Sequence, residues 1–224
     1  MPEMFIAGPE GRIEARYFPQ PRPNAPVALI LHPHPQNGGN MNTKITFALY
    51  KSFVELGFNV LRFNFRGVGR SEGLFDGGEG ELTDAATLMD WLQAKNPDAP
   101  ATWVAGFSFG SWIGMQLLMR RPEIAGFVSV SPPANTYDFS FLAPCPVSGM
   151  VVHGTRDAVV PASSIAGLLN KLALQKNITV THKSVEGADH FYDGHTGVLM
   201  DSIKDYVLNQ HNQEAAALLR AKAS

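Results

Sequence analysis

Thr102-Trp103-Val104-Ala105-Gly106-Phe107-Ser108-Phe109-Gly110-Ser111-Trp112-Ile113-Gly114-Met115-Gln116-Leu117-Leu118-Met119 reads as a buried strand that turns on one serine into a helix. The pattern Gly-x-Ser-x-Gly sits at the turn, and about 0.1 such matches would arise by chance from this composition, so context must carry the reading. A sharp strand–serine–helix turn forces unusual backbone angles on the serine and exposes its hydroxyl. Flanking glycines let strand and helix approach without side-chain clashes. Gly110 and Gly114, four apart, give the helix a smooth face toward a sheet. A second match, Gly69-Arg70-Ser71-Glu72-Gly73, runs into Leu74-Phe75-Asp76-Gly77-Gly78-Glu79-Gly80, which is no helix start, so Ser71 reads as a turn serine.

Outward from this stretch, short apolar runs alternate with helix-length segments. Six of the 16 prolines fall between Pro19 and Pro35 and mark a surface connection into and out of one buried strand. Strands are expected over Glu3–Gly8 and Arg12–Phe18, joined by the turn Gly8-Pro9-Glu10-Gly11. Further strands are expected over Val27–His32, Phe58–Phe65, Thr102–Phe107, Ile124–Val130, Val147–His153 and Ile178–Val185. Helices are expected over Thr43–Leu56, Leu82–Ala94, from the serine turn through Arg120, over Ala162–Leu174, and from Val198 to about Lys222. Gly57 follows the first helix where a C-terminal cap belongs. This alternation argues for an α/β fold with a mostly parallel sheet and helices on both faces. No repeat or linker divides residues 1–224, and one domain is expected, with an N-terminal hairpin over about 3–18 and a C-terminal helix over about 198–222.

Composition narrows the classes. The chain has 224 residues, 45% hydrophobic and 17% charged, enough apolar matter for a sizeable core and too little charge for a disordered chain. A net charge of −2 offers no basic surface for nucleic acid. No apolar run approaches the ~18 residues of a membrane span. The single cysteine, Cys145, excludes an internal disulfide framework and a cysteine-based zinc site. The first ten residues lack a basic start and a long apolar stretch, so the expectation is a cytoplasmic protein without a secretory signal.

A serine hydroxyl needs a base to take its proton, and the base needs an anchoring acid. In open α/β sheets reactive groups gather at the carboxyl ends of strands. Asp157 follows the strand Met150-Val151-Val152-His153, and His190 follows the last strand in Gly187-Ala188-Asp189-His190. His195 and Asp138 are the reserves for base and acid, Asp189 reads as a solvated loop carboxylate, and His182 reads as structural. His32-Pro33-His34-Pro35 ends the first core strand. A His-x-His pair there is a metal-ligand pattern, with His153 and Asp157 as formal additional ligands. The alternating prolines point instead to a rigid loop with a backbone role, because His34 carries the only N–H between positions 33 and 35. That N–H and the one of Phe109, after the serine, are the candidate oxyanion donors.

Together these segments resemble the α/β-hydrolase superfamily, and within it small lidless bacterial serine hydrolases related to the dienelactone hydrolases. The resemblance covers about residues 25–205. It rests on Leu31-His32-Pro33-His34-Pro35, Asn64-Phe65-Arg66-Gly67-Val68-Gly69-Arg70-Ser71, Gly106-Phe107-Ser108-Phe109-Gly110, His153-Gly154-Thr155-Arg156-Asp157-Ala158-Val159-Val160-Pro161 and Gly187-Ala188-Asp189-His190-Phe191. The order Ser108, Asp157, His190 is the order of that fold. Asn64 stands where many relatives have aspartate, and Ser108 stands where dienelactone hydrolases proper use cysteine, so lactone cleavage is not implied. Only Ser131–Pro146 is available for a lid, which implies an open site. The resemblance implies a serine esterase or thioesterase acting on a small-molecule ester or thioester, with Ser108 as nucleophile, His190 as base and Asp157 orienting it. No cofactor is implied. Phe75, Phe107, Phe191 and Tyr192 are candidate walls of an apolar acyl pocket, and Phe107 reads equally as core. A homo-oligomer stays open, since two protomers can build a shared pocket. A peptidase or amidase on the same fold, a metal-dependent hydrolase on His32 and His34, and a non-catalytic ligand-binding member are the rival readings.

Overall fold

Strands buried on both faces read as continuous apolar runs rather than alternating ones, and the central strands do so here. The computed structural model describes residues 3–142 and 144–223. The whole-chain expectations that touch Met1, Pro2, Ala143 and Ser224 lie outside the described residues. An eight-stranded sheet is formed by β1 (Met4–Gly8), β2 (Gly11–Phe18), β3 (Val27–Leu31), β4 (Asn59–Phe63), β5 (Thr102–Phe107), β6 (Ile124–Val130), β7 (Gly149–Gly154) and β8 (Val180–Val185). The strand order is β1-β2-β4-β3-β5-β6-β7-β8. The N-terminal hairpin and the β2–β4 pair are antiparallel, and the remaining pairs are parallel. From β3 the chain crosses to β4 on one side and then to β5 on the other. The carboxyl ends of β3 and β5 therefore flank a crevice, where open α/β sheets bind ligands.

Among the described residues five helices cover the two faces: α1 (Lys44–Glu55), α2 (Glu79–Lys95), α3 (Phe109–Leu118), α4 (Ala162–Ala173) and α5 (Thr196–Ala223). One core layer joins Leu88 and Leu92 of α2, Ile113 and Leu117 of α3 and Ile165 of α4 to Leu29, Leu31 and Val151. The other joins Leu49 and Phe53 of α1 and Leu199 and Ile203 of α5 to Ile30, Ala105 and Val152. Each layer forms because apolar residues recur at helical spacing on the covering helix and on alternate positions of the strands. Among the described residues no helix is long and apolar enough to cross a membrane.

Several boundaries differ from the sequence expectation. Helix α2 starts at Glu79, three residues earlier than Leu82. The buried Glu81 carboxylate accepts the N–H groups of Gly78 (2.7 Å) and Asp76 (3.0 Å), which stabilises a helix start that glycines alone would disfavour. Strand β7 begins at Gly149 rather than Val147, and β8 begins at Val180 rather than Ile178. Two short 3-10 turns, Pro35–Asn37 and Ser140–Leu142, lie where the sequence spacing predicts no element.

Ser71 is a tie. Its hydroxyl donates to the Asn64 carbonyl at 2.7 Å and accepts the Glu14 N–H at 2.9 Å. The same loop is clamped to α2 by Arg66, whose guanidinium meets Asp84 at 2.8 and 3.0 Å, while its backbone N–H meets the same carboxylate at 3.1 Å. Both side chains are buried. Removing one partner strands a buried charge, so Asp84→Ala is expected to cost about 3–5 kcal/mol, read from urea unfolding. A loss below about 1 kcal/mol would show that water replaces the carboxylate.

Candidate active site

Ser108 is held at φ 53° and ψ −121°, between β5 and α3. That left-handed region is costly for a residue with a Cβ, and it persists because neighbouring contacts impose it. The Ser108 N–H donates to the Val130 carbonyl at 2.8 Å, and its carbonyl accepts from the Ser111 hydroxyl at 2.6 Å. Helix α3 runs so close to β3 that a Cβ on Gly110 would lie 2.5 Å from the carbonyl oxygens of Leu31 and His32. Only glycine fits there.

The three polar side chains picked from sequence order meet in space. His190 Nε2 lies 3.2 Å from Ser108 Oγ, and His190 Nδ1 lies 2.8 Å from Asp157 Oδ2. The other oxygen of Asp157 accepts the N–H groups of Val159 (2.9 Å) and Val160 (2.8 Å). Burial works against ionising Asp157, but the hydrogen bonds from His190, Val160 and Val159 outweigh it and hold the carboxyl below its ordinary pKa. A carboxylate with both oxygens occupied keeps Nδ1 of His190 protonated, which leaves Nε2 free to accept from Ser108.

The rival residues sit elsewhere. Asp138 is bonded to Ser140 within its own turn. Asp189 accepts the Asp193 N–H, and His195 Nδ1 bonds to the Asp193 carbonyl. His182 is exposed on β8, 3.1 Å from His153 Nδ1. His32 is fully buried, with Nδ1 2.7 Å from the Pro33 carbonyl and Nε2 accepting the Phe65 N–H at 3.0 Å. Both of its ring nitrogens are thereby spent on backbone. His34 Nδ1 accepts the Gln36 N–H at 3.2 Å, and its ring packs 5.0 Å from Phe75 and 5.1 Å from Phe109. The His-x-His pair thus serves the loop, and among the described residues no group of three or more His, Cys, Asp or Glu is arranged for a metal.

Loop 33–39 folds tightly on itself. The His34 carbonyl accepts from Asn37 (3.1 Å) and Gly39 (3.0 Å), and a Cβ on Gly39 would lie 2.1 Å from the Pro33 oxygen. The Phe109 N–H, at the first position of α3, has no intrahelical acceptor. Ser108 opens onto a cleft of about 400 Å³ whose apolar walls include Ile45, Phe107, Val159 and Phe191. Lys44 stands at its edge and pairs with Asp193 in the loop after His190. Of the four aromatic residues expected at the wall, Phe107 and Phe191 are there. Phe75 is not: it packs on His34 and Phe109 behind the loop. Tyr192 is not either, being fully buried with its hydroxyl turned to Ser131. Lys44, Ile45 and Val159 carry no sequence signal for this role, because they come from a helix start and a loop distant in sequence from the serine.

Comparisons with known proteins agree with this architecture. A family model for X-Pro dipeptidyl-peptidases (S15 family) matches residues 12–148, which take in Ser108 but not Asp157 or His190. An uncharacterized protein of Rickettsia prowazekii is 51% identical over 212 residues, covering 93% of this chain and 89% of that one. A crystal structure of a protein of unknown function from Agrobacterium tumefaciens is similar with a TM-score of 0.92 and 54% identity, covering 95% of this chain and 98% of that one. A serine hydrolase without a lid from Xanthomonas campestris is similar with a TM-score of 0.83 and 29% identity, covering 93% and 94%.

Burial pushes His32 down to about pKa 3, only partly opposed by its bond to Pro33. In the unfolded chain the same imidazole takes up a proton below about pH 6.5, while the buried ring stays neutral. Acid therefore favours unfolding between those values. From His32 alone, stability is expected to fall by about 2 kcal/mol between pH 7 and pH 5. His34, His153 and His182, also shifted down by burial, act in the same direction. Urea unfolding at the two pH values checks this, and equal stability at both would contradict the neutral buried ring.

Proposed function

The chain belongs to the X-Pro dipeptidyl-peptidase (S15) family and to the α/β-hydrolase superfamily, and from that premise we propose that it cleaves small carboxylic esters or thioesters through an acyl-enzyme on Ser108. The observation that carries the proposal is the chain of contacts from a strained Ser108 through His190 to Asp157.

In this reading Ser108 Oγ attacks the acyl carbon while His190 Nε2 takes its proton. Asp157 orients the ring and stabilises the imidazolium. The carbonyl oxygen, now an oxyanion, accepts hydrogen bonds from the N–H groups of His34 and Phe109. When the tetrahedral intermediate collapses, His190 passes its proton to the departing alcohol or thiol. Water then enters, gives a proton to His190 and attacks the acyl-serine, and a second collapse frees the acid and restores Ser108. None of these steps calls for a cofactor. A cleft of about 400 Å³ with apolar walls and an open mouth suits short acyl groups better than long chains, which need a covered tunnel.

The family model favours a second reading, a proline-directed peptidase. The same serine machinery serves both bonds, so substrates must separate them. The test is a panel of para-nitrophenyl acetate, butyrate, octanoate and palmitate, matching thioesters and an Xaa-Pro para-nitroanilide. Turnover is expected to be best on short esters or thioesters. A higher kcat/KM on the proline amide, or an optimum at palmitate, would overturn the respective part of the reading.

Ser108→Ala is expected to lose at least about 10⁴-fold in kcat with the fold intact, whereas Ser71→Ala should lower stability and leave the folded enzyme's kcat unchanged. Backbone φ at His34 is −51°, which proline accepts, so His34→Pro removes a donor without new strain at that residue. That variant is expected to lose roughly 10²–10³-fold in kcat, and His34→Ala to keep most activity. A folded His34→Ala protein as inactive as the proline variant would mean that the imidazole itself is needed.

A further inference from the structure

Among the described residues five non-glycine residues have positive φ: Asn24, Ser108, Ser131, Asn177 and Tyr192. The two asparagines tolerate this conformation. The other three are linked, because Ser131 and Tyr192 are hydrogen-bonded to each other, one following the residue that holds the Ser108 N–H and the other standing two residues after His190. Ser131 has φ 46° and Tyr192 φ 54°, both side chains are fully buried, and Ser131 Oγ lies 3.0 Å from the Tyr192 hydroxyl.

Each partner is wired to a different part of the site. Ser131 follows the last residue of β6, and its N–H donates at 2.7 Å to the Val152 carbonyl of β7, the strand that leads to Asp157. The carbonyl of the preceding residue, Val130, is the one that accepts the Ser108 N–H. Tyr192 stands two residues beyond His190. Its N–H donates to the Asp189 carbonyl at 3.2 Å, and its own carbonyl accepts from His195 (3.0 Å) and from the Thr196 hydroxyl (3.1 Å) at the start of α5. The buried hydroxyl pair thus ties the loop carrying His190 to the end of β6, beside the bonds that hold the same loop to the β7 end, from the Arg156 N–H to the Ala188 carbonyl and from the Gly187 N–H to the Thr155 hydroxyl. Strain in two residues of ordinary side chain persists only where the surroundings impose it, and such strain gathers at functional sites.

We propose that the Ser131–Tyr192 hydrogen bond positions His190 against Ser108, making both residues positioning residues of the hydrolase site. This rests on the serine-hydrolase reading above. Neither side chain touches the cleft, so the bond acts through the loop and not on substrate binding. Burial, with the charge of Asp157 nearby, holds the phenol well above its ordinary pKa despite the Ser131 bond, so the hydroxyl stays protonated.

The test uses Ser131→Ala, Tyr192→Phe and the double variant, assayed on para-nitrophenyl acetate and by the rate of labelling with a fluorophosphonate, with urea unfolding alongside. Each single change is expected to lower kcat and the labelling rate by roughly tenfold while KM stays within about twofold. The double variant should fall no further than the worse single, since the shared bond is already gone. Folded single variants that keep wild-type kcat and labelling rate would overturn the proposal, as would losses that multiply in the double variant. If Tyr192→Phe does not fold, Ser131→Ala carries the test, because it removes one hydroxyl and leaves the ring in place. Wild-type protein inert to both ester and phosphonate would overturn the hydrolase reading and this role with it. Active wild type with unaffected variants overturns this role alone.

Discussion

The backbone of α3 pressed against the end of β3 at Gly110 is the contact on which the rest of the structure depends. It sets where the helix can start, and so the angles forced on Ser108. It also brings Phe109, through its ring on His34, against loop 33–39, whose own shape comes from two prolines and from the His34 carbonyl holding Asn37 and Gly39. Interiors are close-packed, so an added methyl group at this point cannot be absorbed by small shifts. The site is therefore a consequence of how one helix lies on one sheet.

The buried side chains of Asp157, His32 and Arg66 are paired, which offsets the cost of taking them out of water. The two oxygens of Asp157 take three hydrogen bonds, from the N–H groups of Val159 and Val160 and from the His190 ring. His32 stays neutral and ties the Pro33 carbonyl to the Phe65 N–H, joining the first loop after β3 to the loop after β4. Arg66 and Asp84 extend the same tie to α2. These contacts make a rigid floor from segments far apart in the chain, and rigidity of supporting groups is what lets reactive atoms keep their spacing.

Much of this was legible in the sequence, for identifiable reasons. Strand β5 and the helix after it are announced by an apolar run, a serine between glycines and a second apolar stretch. Asp157 and His190 could be picked out because strand ends are where open sheets expose side chains. The start of α2 was hidden because Gly77, Gly78 and Gly80 look like loop until the Glu81 carboxylate is seen satisfying the N–H groups of Gly78 and Asp76. Phe75 and Tyr192 were misplaced for a different reason. An aromatic residue next to a reactive loop looks like a pocket wall, yet the positive φ of Tyr192 turns its ring into the core, and nothing in the residue type signals that angle. The cleft's own wall at Ile45 and Val159 depends on tertiary placement, which spacing along the chain does not encode.

Both proposed oxyanion donors are main-chain groups, so the chemistry assigned to them is indifferent to the side chains at those positions as long as the backbone path holds. The cleft wall, by contrast, is built from side chains on α1 and on the loops bearing Val159 and Phe191. Three of its residues adjoin the reactive ones, Phe107 beside Ser108, Val159 near Asp157 and Phe191 beside His190, whereas Ile45 comes from α1, remote in the chain. For the proposed enzyme, Ile45 is therefore the position from which substrate range can drift, or be redesigned, at least mutational risk to turnover.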